Sequence, residues 1–225
     1  MIRLHAVPTL TLIALAAGAA IEAQTTAYVG ASVWDGTGSP LIRDATIVVE
    51  DGRITALSRS AEIPTGTEIV FLEGKFIIPG LINTHGHVGD TLGLEGGHYS
   101  EQNVLDHLAL YARYGVTTVN SLGGDEELAG AIRASEGSAD LNRARLLFAG
   151  PVVNAASPED ITELINDVAN MGPDFIKIRV DDNLGRTPKM APEVYTAAID
   201  AAHANELPLA SHLFYLDDAK GLLNA

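Results

Sequence analysis

The sequence predicts an α/β protein: an incomplete (β/α)8 TIM-type barrel of about five β/α units, preceded by a small β-rich sandwich module. Three observations predict it. After Pro79-Gly80, short apolar or β-branched runs recur at intervals of roughly thirty residues, the length of one β/α unit. Amphipathic stretches separate these runs, an alternation that implies a parallel sheet. A full barrel has eight units and takes about 250 residues, whereas this chain of 225 residues shows five strands and ends inside a helical pattern at Gly221-Leu222-Leu223-Asn224-Ala225. The expectation is therefore an unfinished barrel.

Residues 1–23 read as a secretory leader. Arg3 gives a positive start, Leu10 to Ala20 is an uncharged apolar run, and small residues allow cleavage after Ala19 or Ala23. The run is shorter than the roughly 20 residues of a spanning helix, so a secreted or periplasmic protein is expected, with a membrane anchor as the alternative if the leader stays uncleaved. Residues 25–78 form the β-rich module. Ala27 to Val33, Asp44 to Glu50, Arg53 to Leu57, Glu68 to Leu72 and Lys75 to Ile78 are its strands, with tight turns at Asp51-Gly52 and Glu73-Gly74.

Residues 79–225 form the partial barrel. Its expected strands are Leu81 to Thr84, Thr117 to Ser121, Arg145 to Gly150, Phe175 to Val180 and Pro208 to His212. The intervening helices are Asn103 to Tyr114, Glu126 to Glu136, Pro158 to Asn170 and Pro192 to Asn205. Ile161, Leu164, Ile165 and Val168 recur at helical spacing, and Ser157 before Pro158 supplies an N-cap with proline in the first turn.

Composition narrows the chemistry. Lys plus Arg number 14 against 29 Asp plus Glu, a formal charge of −15. So acidic a surface repels phosphate backbones and argues against nucleic acid as a partner. There are no cysteines, which removes disulfides, thiolate metal sites and cysteine nucleophiles. His, Asp, Glu, Lys, Ser and Tyr remain.

The most informative stretch is Pro79-Gly80-Leu81-Ile82-Asn83-Thr84-His85-Gly86-His87. Side chains at i and i+2 of an extended strand share a side. His85 and His87 therefore aim two imidazoles at one point, at the strand end where such barrels keep their active sites, and imidazole is a ligand for zinc and similar ions. The alternative is a pair of solvated loop histidines. Lys177 interrupts the otherwise apolar strand Asp174-Phe175-Ile176-Lys177-Ile178-Arg179-Val180. It either sits desolvated with a lowered pKa, ready to act as a base, a nucleophile or a modified oxygen ligand, or reaches the rim and pairs with Asp181 or Asp182. His212, near the end of the fifth strand, is a structural histidine if isolated and a ligand if it faces the pair on strand one.

Other polar residues carry weaker signals. Glu95, His98 and Tyr99 lie in the glycine-rich loop from Val88 to Gln102, where pocket-shaping and plain solvation are both open. His107 and His203 fall in helices and read as surface residues. Arg179 either meets a substrate carboxylate or pairs with Asp181. Gly123-Gly124 lacks the Lys-Ser/Thr of a phosphate loop.

These residues resemble the amidohydrolase superfamily. Gly52-Arg53-Ile54 and the run from Gly74 to His87 are similar to its approach to the first barrel strand. Asp174-Phe175-Ile176-Lys177-Ile178 is similar to the fourth-strand lysine segment of its imidazolonepropionase and Xaa-Pro dipeptidase-like branch. The resemblance covers the chain from about Ala27 onward. It implies that residues 25–78 belong to a composite β-sandwich, that His85 and His87 bind a buried divalent ion, that Lys177 is carbamylated to bridge two ions, and that His212 binds the second. It also implies hydrolysis of an amide C–N bond, in a dipeptide or a cyclic amide, by a metal-activated hydroxide. Zinc, as one or two ions, is the expected metal. Asn83 stands where that family commonly has aspartate, and no counterpart is found for its strand-six histidine or its strand-eight aspartate, the proton shuttle. The chain alone is thus expected to be the N-terminal portion of such an enzyme, inactive without a complementing C-terminal segment. Two rivals are a non-catalytic metal-binding or interaction fragment, including an oligomer, and a doubly wound sheet holding a ligand at its strand ends.

Overall fold

The computed structural model describes residues 25–137 and 141–225. The expected leader, residues 1–23, lies outside the described residues. The described chain divides into two units: one holds Ile42–Phe76 with the strand before it, the other holds Trp34–Leu41 and Ile77–Ala225.

The first unit is a mixed sheet. β1 (Thr25–Val33) lies antiparallel to β2 (Ile42–Glu50), and β2 lies antiparallel to β3 (Arg53–Ser58). β4 (Glu68–Phe71) runs parallel to β1 on its other side, and the short β5 (Phe76–Ile77) also pairs with β1. The predicted Asp51-Gly52 turn joins β2 to β3, with φ of 49° and 73° at its two residues. Both angles are positive, as a hairpin turn matching the strand twist requires, and Gly meets that demand without steric cost. Ala27, Ala31, Ala45, Ile47 and Val48 are among its buried residues, and the neighbours Ile47 and Val48 point to opposite faces of the sheet.

The second unit alternates strand and helix: β6 (Leu81–Gly86), α1 (Glu101–Arg113), β7 (Val116–Ser121), α2 (Leu128–Ala134), β8 (Arg145–Phe148), α3 (Pro158–Ala169), β9 (Ile176–Arg179), α4 (Pro192–Ala204), β10 (Leu209–His212) and α5 (Leu216–Asn224). β6, β7 and β8 pair in parallel, as do β9 and β10. A parallel bridge between Val153 and Ile178, and an Asp174 N–H donated to the Phe148 carbonyl at 2.9 Å, link the two sheets. Strand order follows chain order, without the reversal that marks the ligand crevice of a doubly wound sheet.

The two larger buried clusters of this unit tie its helices to its strands. Val104, Leu108, Val119, Leu146 and Phe148 join α1 to β7 and β8, while Ile161, Ile165, Ile176, Ile178, Val194 and Ala198 join α3 and α4 to β9. Ser157 caps α3 as expected, its hydroxyl accepting the Asp160 N–H at 3.1 Å, with Pro158 in the first turn. The second helix is shorter than predicted and closes in a 3₁₀ turn, Ser135–Gly137. The cause is Glu136, whose buried carboxylate turns inward to accept the Leu146 N–H at 2.5 Å and Arg143 Nη1 at 3.0 Å. No helix among the described residues is long and apolar enough to cross a membrane.

Candidate functional site

The first strand runs further than predicted. β6 continues to Gly86, so His85 belongs to the strand itself and His87 follows directly. Their ring centroids are 5.6 Å apart, inclined by 59°, as a shared strand side dictates. Gly86 between them is sterically required: a Cβ there would lie 2.8 Å from Val119 Cγ1 and 3.1 Å from Asn83 Nδ2. Asn83 shapes the same segment, accepting the His85 N–H at 3.1 Å and donating to the Tyr111 hydroxyl at 3.1 Å.

The loop after β7 orients His87. Its Nδ1 lies 2.9 Å from the Gly123 carbonyl. The carbonyl can only accept, so Nδ1 carries the proton and Nε2 keeps its lone pair. His85 is solvent-exposed, yet partial desolvation, and after it the charges of Lys177, His87 and His212, hold its imidazole below the usual histidine range. It is accordingly neutral, and available as a donor, over more of the physiological range.

Lys177 is 3% exposed. Of the two sequence readings, the rim-reaching ion pair does not form: among the described residues no carboxylate pairs with its Nζ. Asp181 is taken by Arg179, whose Nε and Nη2 donate to Oδ1 at 3.1 Å each, and Asp182 accepts the Tyr215 hydroxyl at 3.0 Å. Burial, and secondarily the Arg179 charge, push the Lys177 amine down. Arg179 is thereby placed too, bound to Asp181 and to Asn183 Oδ1 rather than left free for a substrate carboxylate.

His212 closes β10 opposite Arg179 in the parallel register. Its Nε2 stands 3.7 Å from Asp181 Oδ2. Among the described residues no three His, Cys, Asp or Glu side chains form a ready ion-binding cluster. What the structure brings together is the His85–His87 pair, with Lys177 close enough to depress His85, and His212 beside Asp181.

Asp125 was not anticipated. Its side chain accepts the Ala149 N–H at 3.2 Å through Oδ2, while Oδ1 is buried without a partner among the described residues. Burial raises its pKa to about 6. The one available signal was a carboxylate just past a strand end, at the tip where Gly123 meets His87. The glycine-rich loop is held from beneath rather than loosely solvated. Asn103 Nδ2 donates to the carbonyls of Gly89 at 2.7 Å and Thr91 at 3.0 Å. His107, expected at the surface, is half-buried, because its Nδ1 accepts the Gly89 N–H at 3.1 Å. In that loop Tyr99 is partly buried and burial pushes its phenol up to about 12, whereas Glu95 and His98 form an exposed pair at 3.9 Å. His203 is exposed, as expected.

No family model matches the chain. It is 30% identical over 202 residues to an uncharacterized protein of Mycobacterium tuberculosis, a match spanning 84% of this chain and 52% of that protein. Shorter stretches match an enamidase of Eubacterium barkeri (34% identical, 38% of this chain and 21% of that protein) and a dihydroorotase of Acetivibrio thermocellus (46% identical, 20% and 10%). Among solved structures, a Xaa-Pro dipeptidase with methionine in its active site superposes with a TM-score of 0.76 at 17% identity, covering 89% of this chain and 59% of that one. Molinate hydrolase superposes with a TM-score of 0.74 at 24% identity, covering 90% and 56%. The chain thus spans about half the length of the curated relatives it matches over most of its own length.

Proposed function

We propose that this chain, which resembles the amidohydrolase superfamily in fold and in sequence, carries the metal-binding strands of a hydrolase that cleaves the C–N bond of a small amide or dipeptide. In this reading β6 to β10 are the first five strands of a (β/α)8 barrel, and the first unit is the N-terminal part of a composite β-sandwich. The observation that carries it is the pairing of two imidazoles, 5.6 Å apart at the end of β6, with a buried lysine that has no counter-ion among the described residues.

The donor set fits a divalent cation in kind. His87 offers Nε2 because Gly123 occupies Nδ1, His85 is held toward neutrality, and His212 presents an imidazole at the end of β10. Lys177 is a desolvated amine with a lowered pKa, the state in which its nitrogen lone pair can add to carbon dioxide. An N–C bond then forms, one proton leaves, and the product is a carbamate with two oxygen donors. His85, His87, His212 and a Lys177 carbamate are the groups that would hold one or two such ions. A divalent ion bound there supplies Lewis acidity toward a carbonyl and acidifies water near neutral pH. The protein's own contribution is to hold these donors at strand ends, where a rigid sheet sets their spacing. Residues 1–23 are proposed as a secretory leader, which N-terminal sequencing of the mature protein checks.

Titration of metal-free protein with zinc in bicarbonate buffer, against a chromophoric chelator, tests the site. Saturable uptake of roughly one or two ions per chain, lost in His85→Ala and Lys177→Ala, supports it; unchanged uptake in both variants refutes it. Protein labelled with 13C-bicarbonate should show a carbamate resonance that Lys177→Ala abolishes. Turnover of dipeptides and cyclic amides then separates an enzyme from a metal-binding or interaction protein.

A further inference from the structure

Asp181 is a buried carboxylate only half accounted for by its neighbours. The parallel register sets His212 opposite Arg179, which brings Asp181, two residues on, alongside the His212 ring. The Asp181 side chain has no exposed surface. Its Oδ1 is saturated, accepting Arg179 Nε and Nη2 at 3.1 Å and the Asn183 N–H at 2.8 Å. Among the described residues its Oδ2 has no hydrogen-bond partner and faces His212 Nε2, which is equally shielded from water and equally unpartnered.

Two complementary buried atoms left unpaired cost about as much as a lost hydrogen bond. They stand 3.7 Å apart, and a movement under about 1 Å brings them to bonding distance. The ring cannot turn freely away. Phe214 packs edge-on against it at 5.1 Å and 81°, and the Arg179 guanidinium lies 5.9 Å above the Phe214 ring. Arg179 thus braces both the carboxylate and the aromatic ring that flank His212.

We propose that Asp181 is the positioning residue for His212: Oδ2 accepts the Nε2–H, fixes that tautomer, and leaves Nδ1 as the ring nitrogen with a lone pair to offer a cation. Metal-binding imidazoles commonly donate their second N–H to a carboxylate in this way. The proposal rests on the metal-binding reading above and extends it by assigning a residue that touches no ion.

The test uses the full chain labelled with 15N-histidine. Long-range 1H–15N spectra near about pH 8, where imidazole is neutral, report the tautomer, with His212→Gln identifying the signal. The expected result is Nε2–H in the wild type, a tautomer mixture in Asp181→Ala, and recovery toward the wild type in Asp181→Asn, whose amide oxygen still accepts. Zinc affinity by chelator competition should fall about 10–100-fold in Asp181→Ala, with Asp181→Asn between, while circular dichroism of the metal-free proteins confirms that they are folded. An Nδ1–H tautomer in the wild type overturns the proposal even if Asp181→Ala does not fold. So does undiminished zinc affinity in a folded Asp181→Ala when the wild type binds zinc. A wild type that binds no zinc brings down the metal reading itself, and the role of Asp181 with it.

Discussion

At the end of β6, His85 and His87 stand exposed and side by side, whereas β9 buries Lys177 and places Asp181 under the guanidinium of Arg179. The first arrangement comes from the strand's own two-residue period and from a glycine that lets Val119 approach. The second depends on packing between strands. Arg179 donates two N–H bonds to Asp181 Oδ1, while Lys177, buried within β9, meets no carboxylate among the described residues. One half of the candidate site is thus made by local geometry, the other by tertiary packing.

Substitutions separate the two halves. The largest effect is expected at the local half: His85→Ala or His87→Ala should weaken zinc binding beyond the roughly 10–100-fold loss typical of an outer partner, measured by chelator competition. A smaller loss would mean that the β6 pair is peripheral to the ion. Gly86→Ala should destabilise the fold by about 1–3 kcal/mol in urea unfolding, because the new methyl collides with Val119.

The buried carboxylate of the β7 loop gives a pH signature. Asp125 has its pKa raised from 3.8 to about 6 in the folded protein, so the folded state binds this proton more tightly than the unfolded state. Its contribution is intact below about pH 4 and is lost as pH rises through about 6. Asp125→Asn should therefore stabilise the metal-free protein by on the order of 2 kcal/mol near pH 7, and by little near pH 4. Parallel urea midpoints for the two proteins across that range would contradict the assignment. The smallest expected effect is at α3, beside β9: Ser157→Ala should cost about 1 kcal/mol through loss of the helix cap.

Much of the fold was legible because its signals are local. Ser157-Pro158 marks a helix start, Asp51-Gly52 a hairpin, and the apolar runs of β7 to β10 a set of strands whose ends differ from the expected ones by only a residue or two. His85 and His87 were legible for the same reason, and Lys177 as a charge within an apolar run. The residues missed are those whose setting is made by distant chain. Asp125 sits in Gly-Gly-Asp-Glu-Glu, which reads as a solvated acidic turn until Ala149, just past the end of β8, covers it. His107 reads as a surface residue until the loop from Val88 folds back and gives it the Gly89 N–H. Glu136 reads as a helical residue until Leu146 and Arg143 draw it inward.

Crystals grown with zinc and measured across the zinc absorption edge test the central claim most directly. The expected anomalous peak lies about 2.0–2.1 Å from a nitrogen of His85 and of His87, with density extending from Lys177 Nζ toward it. A peak that contacts neither histidine, in protein shown to have taken up zinc, would contradict the account.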